Sequence, residues 1–303
     1  MVDVANHQER FLIMSFDLFV EALISGILLG GFYAAVSLGL AVVFGMLDVP
    51  QVAHPALLVA GGYGTFFLSQ QGIDPLVAGV LLSPVFFVLG MLLYRFYHAT
   101  FERRGTDAGL RGLAFFFGMA FVIEVGLILA FGVDQRLVEA AYVGTSVRVG
   151  EYRLPSRMLV AFAGAVVLTV GFSLYLGRTY IGRAIKAVAQ DQVALQLMGA
   201  DPVRVKQIAF GIATALAAVG GALLIIVGPI EPGLGRLYLG KLFSIVVLAG
   251  LGSLSGTLVA GLILGITESL VLSSVGSSWA PAVSFGLLLI MLAVRPAGLF
   301  GRA

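Results

Sequence analysis

Residues 207–228 read QIAFGIATALAAVGGALLIIVG, 22 consecutive positions without an ionisable side chain. As a helix rising about 1.5 Å per residue, this run is about 33 Å long, enough to cross the hydrocarbon core of a bilayer. The chain around it repeats the pattern. Apolar runs lie near 18–43, 52–69, 75–98, 112–133 and 158–177 before it and near 281–294 after it, the last being short and expected to begin a few residues earlier. Another apolar stretch, 239–273, is interrupted at Gly250-Leu251-Gly252-Ser253-Leu254-Ser255-Gly256. It divides into a short piece, 241–251, and a longer one, 256–273. The short piece is too short to cross upright and can be a half-helix that enters and returns, tolerated where protein or a water-filled cavity covers it. These readings predict an all-α integral membrane protein. It is a polytopic helical bundle of eight or nine membrane segments, with a broken or re-entrant unit near 241–273, in a single domain over 1–303.

Composition agrees. Of 303 residues, 59% are hydrophobic and 11% charged, against roughly 25% charged in a soluble domain. So few charges cannot cover a water-facing surface, whereas lipid-facing positions are expected to be apolar. The 40 glycines fit close helix packing. The chain has no cysteine, which excludes disulfides and thiolate metal sites. A net charge of +2, with the cations in loops, gives no surface for nucleic acid. No cleavable signal peptide is expected, because the first apolar run follows a mixed-charge start (Asp3, Glu9, Arg10, Asp17) and is itself long enough to span.

Lys and Arg are enriched on the cytoplasmic side of membrane proteins. With the N-terminus outside, one inner loop holds Arg95, Arg103, Arg104 and Arg111. The next holds Arg178, Arg183, Lys186, Arg204 and Lys206, and the C-terminus holds Arg295 and Arg302, making 11 of the 18 basic residues. Arg10, Arg136, Arg148, Arg153, Arg157, Arg236 and Lys241 fall outside. In the outer loop 134–157, β-formers alternate around Gly150-Glu151 and predict a small β-hairpin near 145–154.

The inner loop 178–206, RTYIGRAIKAVAQDQVALQLMGADPVRVK, is the most structured one. Asp191 is placed to cap a short helix over 192–198 whose apolar positions are Val193, Leu195, Leu197 and Met198. Gly199 stands where a left-handed C-terminal residue is wanted, and Asp201-Pro202 restarts a helix. Such an element can dock in a groove on a soluble partner. It can equally lie on the lipid surface, anchored by its cations.

Glu21, His54, Glu124, Lys241 and Glu268 fall in or near spans, where an ionised group costs about 2.5–3.5 kcal/mol on insertion scales. Glu21 and Lys241 are near span ends and are expected to snorkel. His54 reads as a helix-start or hydrogen-bonded core histidine, with a pathway role as the less favoured alternative. Glu124 and Glu268 are deeper, and a pathway role stands level with a structural one. Gly26/Gly30, Gly252/Gly256 and Gly261/Gly265 have the small-xxx-small spacing of close helix packing. Residues 235–242 almost spell a phosphate-binding loop, but Leu242 replaces the magnesium-holding Ser or Thr, and no strand precedes them. No catalytic nucleophile, metal constellation or cofactor site is expected in this chain.

Motifs spread over nearly the whole chain resemble one family. They are Gly30-Gly31-Phe32-Tyr33-Ala34, Val52-Ala53-His54, Val147 to Pro155, Gly182-Arg183-Ala184 through Gln190-Asp191, Leu197-Met198-Gly199-Ala200-Asp201, Leu248-Ala249-Gly250-Leu251-Gly252-Ser253, Ser255-Gly256-Thr257 and Arg295-Pro296-Ala297-Gly298-Leu299-Phe300-Gly301. In this order and spacing they resemble the LivH-type permeases of branched-chain amino-acid ATP-binding-cassette importers. Pro55 and Gln51 depart from that family's usual glycine and asparagine. Val193-Ala194-Leu195 lacks the acidic residue of the broader importer loop.

The resemblance implies a multi-pass subunit of a bacterial cytoplasmic (inner) membrane. It pairs with a second homologous permease, two cytoplasmic ATPase subunits that bind the ATP, and an extracytoplasmic substrate-binding protein. Coupling to the ATPases would fall on Arg183, Lys186, Ala194, Leu195, Met198, Gly199 and Pro202. The translocation pathway would involve His54, Glu124, Glu268, Gly252 and Gly256. Branched-chain amino acids or related small polar or organic solutes are the expected cargo. The alternative is a proton-coupled secondary transporter using Glu124 and Glu268.

Overall fold

Aspartate–proline pairs start two of the longest helices. Asp74 accepts from the Leu76 amide at 2.9 Å, with Pro75 next to it, and Asp201 accepts from the Val203 amide at 2.9 Å, with Pro202 next to it. The carboxylate satisfies an otherwise orphaned donor, and proline gives up none at that position. The computed structural model describes residues 16–104, 108–149 and 152–301. Its helices are α1 Phe16–Val43, α2 His54–Ser69, α3 Pro75–Thr100, α4 Ala108–Phe131, α5 Ser156–Arg178, α6 Tyr180–Gln190, α7 Gln192–Leu197, α8 Pro202–Val227, α9 Leu234–Ala249, α10 Leu254–Ser274 and α11 Ala280–Val294. Strands β1 Ser146–Val149 and β2 Tyr152–Pro155 pair antiparallel, Ser146 opposite Pro155, as the sequence predicts. The expected turn at Gly150-Glu151, and Asp3, Glu9, Arg10 and Arg302 of the charge pattern, lie outside the described residues.

Among the described residues, six helices are long and apolar enough to cross a membrane: α1, α3, α4, α5, α8 and α10. This is an all-α membrane protein. The expected total of eight or nine segments is not reached by length alone, since α2 and α9 have 16 residues and α11 has 15. The division of 239–273 also differs from expectation. Helix α9 begins at Leu234, not 241, and the break is confined to 250–253. Arg236 and Lys241 marked an end in the sequence, but both are paired with carboxylates and are carried inside the helix.

Helices α1 and α8 form the centre, with 89% and 78% of their most apolar stretches buried, whereas α3 and α4 have 17% and 6% buried and turn their apolar surfaces outward. Two glycine pairs bring α1 and α10 together. A β-carbon on Gly26 would stand 2.6 Å from Ile266 Cα, and one on Gly30 would stand 2.7 Å from Leu262 Cα. Position numbers rise on one helix as they fall on the other, so the pair is antiparallel. Gly265 rests directly on the Gly30 backbone and Gly261 on Ala34. The expected packing role of Gly26/Gly30 and Gly261/Gly265 is therefore observed. Gly252/Gly256 is different. Gly250 and Gly252 have φ of 90° and 83° and make the turn between α9 and α10. Gly256 lies in the first turn of α10, under the Ala249 carbonyl. The spacing is that of a packing stripe, but no helix runs through it.

The C-terminal segment closes over this turn. The Leu299 amide donates to Leu248 O at 2.9 Å and the Phe300 amide to Ala249 O at 3.1 Å, while Gly298 lies on Gly250. Elsewhere Arg136 and Ile230 exchange backbone hydrogen bonds of 2.8 and 2.9 Å, tying the loop after α4 to the connector between α8 and α9.

Candidate functional site

The segment 178–206 folds as its local chemistry dictates. Asp191 accepts from the amides of Val193 at 2.8 Å and Ala194 at 3.0 Å and so starts α7. Gly199, at φ 80°, ends it, with the Ala200 amide reaching back to Leu195 O at 3.2 Å. Ahead of it stands α6, which the sequence reading missed. Thr179 caps it through the Gly182 amide at 3.0 Å, and Gly182, Ala184, Ile185 and Val188 form its buried face. The clues were present in Thr179 and in the apolar positions Ile185 and Val188, spaced by one turn.

Side-chain directions in α7 correct one expectation. Leu195, expected to face a partner, is 6% exposed and packs into the chain's own core beside Ile185 and Val188. Leu197 and Met198 are instead 85% and 84% exposed, and Val193 and Ala194 are also exposed. A six-residue helix can anchor itself with only one apolar side chain, and the rest of its apolar set faces outward. Arg183 and Lys186 are exposed on α6, Gly199 is exposed, and Pro202 is buried at the start of α8. A cavity of about 810 Å³ lies between α6 and the glycine turn, lined among others by Lys186, Gln190, Ser173, Met46, Gly252 and Ser255.

Glu268 and Lys241 are brought together. Lys241 Nζ donates to Glu268 Oε1 at 2.7 Å and to the Tyr33 hydroxyl at 2.7 Å. It also lies 4.9 Å from the Tyr33 ring centroid and 5.6 Å from that of Tyr238. Lys241 therefore does not snorkel, because a carboxylate and two aromatic faces inside the bundle hold its charge. Its partner is 27 residues away on another helix, beyond the reach of any local pattern. Glu124 accepts from Arg236 Nη2 at 2.6 Å. Glu21 is exposed, as expected. His54 is fully buried at the start of α2, against Gly39 of α1 and near the Val36 carbonyl, without a well-formed hydrogen bond. Glu268, Glu124 and His54 thus occupy three separate places rather than one chain of groups.

One cluster escaped the sequence reading. Beyond α3, the Glu102 carboxylate accepts from Lys206 Nζ and the Tyr94 hydroxyl and meets His98 Nδ1, each at 2.8 Å. Burial would raise this carboxyl, but the hydrogen bonds from Lys206, His98 and Tyr94 outweigh it and hold the group below the usual carboxylate range.

A family model described as branched-chain amino acid transport system / permease component matches residues 22–292. The chain is 30% identical over 300 residues to the high-affinity branched-chain amino acid transport system permease protein LivH of Escherichia coli (strain K12), covering 94% of this chain and 96% of that one. It is 27% identical over 296 residues to the corresponding protein BraD of Pseudomonas aeruginosa, again covering 94% and 96%. It is 29% identical over 155 residues to the permease protein LivM of Salmonella typhimurium, which is 49% of this chain and 36% of LivM. No solved structure matches significantly. A multi-pass helical membrane fold and a match spanning nearly the whole chain lead to one conclusion: the chain belongs to the permease family of branched-chain amino-acid transport systems and is a permease subunit of an ATP-binding-cassette importer.

Proposed function

We propose that this subunit carries branched-chain amino acids, or small solutes close to them, across a bacterial cytoplasmic membrane. It works with a second permease, two ATPases that bind the ATP, and an extracytoplasmic binding protein. The observation that carries the cargo is the length of the match: both LivH and BraD are named for branched-chain amino-acid transport and align over 94% of this chain. The partial match to LivM supports a related but distinct permease partner. If α2, α9 and α11 cross together with the six long helices, the total is nine, with the N-terminus outside and 178–206 in the cytoplasm.

Coupling is assigned to α6 and α7. Leu197 and Met198, with Ala194 beside them, form the apolar contact, Arg183 and Lys186 flank it, and Leu195, Gly199 and Pro202 hold its shape. ATP-driven closure of the ATPase pair would push this surface, and the cavity between α6 and the Gly252–Gly256 turn lies in the path of that movement. Along the pathway, Glu268 is the principal group, while Glu124 and His54 stand at separate places. Glu124 and Glu268 are each ion-paired, which gives a proton-coupled mechanism no free carboxylate to work with among these two.

The test is uptake of labelled leucine into proteoliposomes holding the complete importer. ATP-dependent accumulation that requires the binding protein is expected. No accumulation of leucine, isoleucine or valine, alongside accumulation of another solute, would replace the cargo.

A further inference from the structure

Three features of the Lys241–Glu268 pair are left over after its structural role is counted. Lys241 has three N–H donors, of which two have acceptors, Glu268 Oε1 and the Tyr33 hydroxyl. Glu268 is 3% exposed, and its second oxygen, Oε2, is buried without a well-formed hydrogen bond, the Tyr33 hydroxyl being the donor that stands close to the carboxylate. Finally, the side chain of Lys241 is 16% exposed where that of Glu268 is 4%, so the cation is the reachable end of the pair. A pair kept only for packing would be expected to be saturated, and apolar residues of the same volume usually serve stability as well or better.

The pair joins two regular helices, Lys241 standing two turns into α9 and Glu268 well inside α10. Helix α9 is only 16 residues long, so Lys241 lies near its middle. Beside it stand three aromatic rings. The Phe32 centroid is 5.7 Å from that of Tyr33 and 6.5 Å from that of Tyr238, and the two tyrosine rings are 6.3 Å apart.

We propose that Lys241, Glu268, Tyr33 and Tyr238 are the intramembrane recognition site for the zwitterionic head of an α-amino acid, with Phe32 as the wall for its aliphatic side chain. This rests on the amino-acid reading above and adds the atoms that would read the substrate. The substrate carboxylate takes the ammonium of Lys241, and the substrate ammonium takes Glu268, whose unused oxygen is available to it. One ion pair becomes two by exchange of partners, so neither protein charge is left bare in a medium where bareness is costly. The rings of Tyr33 and Tyr238 stay beside Lys241 while Glu268 turns from it. Each protein charge then keeps a counter-charge whether the site is empty or loaded, as a transport site requires if it is to release its cargo.

The experiment separates this from a merely structural pair. In the complete importer, the exchange Lys241→Glu with Glu268→Lys preserves one ion pair and reverses its direction. The expected result is assembly and a melting temperature near those of the unsubstituted importer, with leucine uptake reduced at least tenfold. Uptake at the unsubstituted rate would overturn the proposal and leave the pair a structural contact. Should the exchanged protein fail to assemble, Tyr33→Phe decides: it removes one oxygen and keeps the ring. A several-fold rise in the leucine concentration giving half-maximal uptake, with unchanged melting, supports the site, and an unchanged value overturns it. The unsubstituted importer is assayed first. Its failure to move any amino acid would remove the cargo reading before a variant is made.

Discussion

Lys206 and Glu102, 104 residues apart in the chain, meet at 2.8 Å and join the start of α8 to the segment just beyond α3. The side chains are 8% and 25% exposed, so the contact is well shielded. Lys206→Met leaves a half-buried carboxylate short of its strongest donor and is expected to cost about 2 kcal/mol. The double change Lys206→Met with Glu102→Gln should cost less than the sum of the two single ones, read from thermal melting in detergent. Equal and additive losses would mean that the two groups do not interact.

The same carboxylate gives a pH dependence. Its folded pKa is lowered, so its contribution is fully present above the unfolded value, about 4.3, and is lost as pH falls through the lower folded value. Melting temperature should therefore fall below about pH 4.3 more steeply in the unsubstituted protein than in Glu102→Gln. Parallel curves would show that other carboxylates govern acid stability.

Helix α7 supplies a contrast between neighbours. Leu197→Asp and Met198→Asp change exposed side chains, and melting should be unaffected. Loss of an interface anchor of about 2 kcal/mol would weaken ATPase binding roughly thirtyfold, seen as lost co-purification. Leu195→Asp places a charge in the chain's own core and should lower melting as well. Gly199→Val has open space around it but requires φ 80°, so its cost, about 1–2 kcal/mol, is backbone strain alone, local to the end of α7. Normal substrate-stimulated ATP hydrolysis in the Leu197, Met198 and Gly199 variants would reassign α7 to the lipid surface.

The contact between α1 and α10 is sensitive to a single methyl group. Gly30→Ala would bring a β-carbon to 2.7 Å from Leu262 Cα and 2.8 Å from Gly261 O, both backbone atoms that cannot rotate away. Overpacking of this kind costs about 1–3 kcal/mol. Gly118→Ala on α4, with nothing within 4 Å, is the control and should be neutral or slightly stabilising. Equal melting of the two variants would show that the helices separate freely.

Orientation can be read with a single thiol, because the chain has no cysteine. Gln192→Cys, exposed at the start of α7, should resist a membrane-impermeant reagent in intact cells and react after lysis. Labelling from outside would invert the membrane placement.

What the sequence made legible was local chemistry. Asp191, Gly199 and Asp201-Pro202 act within three or four residues, so their pattern is their structure. The Gly26/Gly30 and Gly261/Gly265 spacings were readable as packing, although neither names its partner. Gly252/Gly256 has the same spacing and a different conformation, because spacing cannot tell whether a helix runs through it. Lys241 was misread for a related reason. A cation in an apolar run looks like an end unless its counter-charge is known, and Glu268 lies on the next helix. Leu195 and Leu197 were indistinguishable in composition, and only the direction of a six-residue helix relative to α6 separates the buried one from the exposed one.

The face of α1 that carries Gly26 and Gly30 finds its match in residues 261–266, at the other end of the chain. During synthesis α1 therefore enters the bilayer more than 200 residues before its partner exists. Throughout that interval a glycine-lined groove, shaped for a backbone rather than for acyl chains, has to be occupied by lipid or by an insertion factor. Truncation anywhere before α10 should leave the first helix without its mate and the nascent protein open to membrane-protein quality control. A stalled chain would be marked by its oldest segment, not its newest.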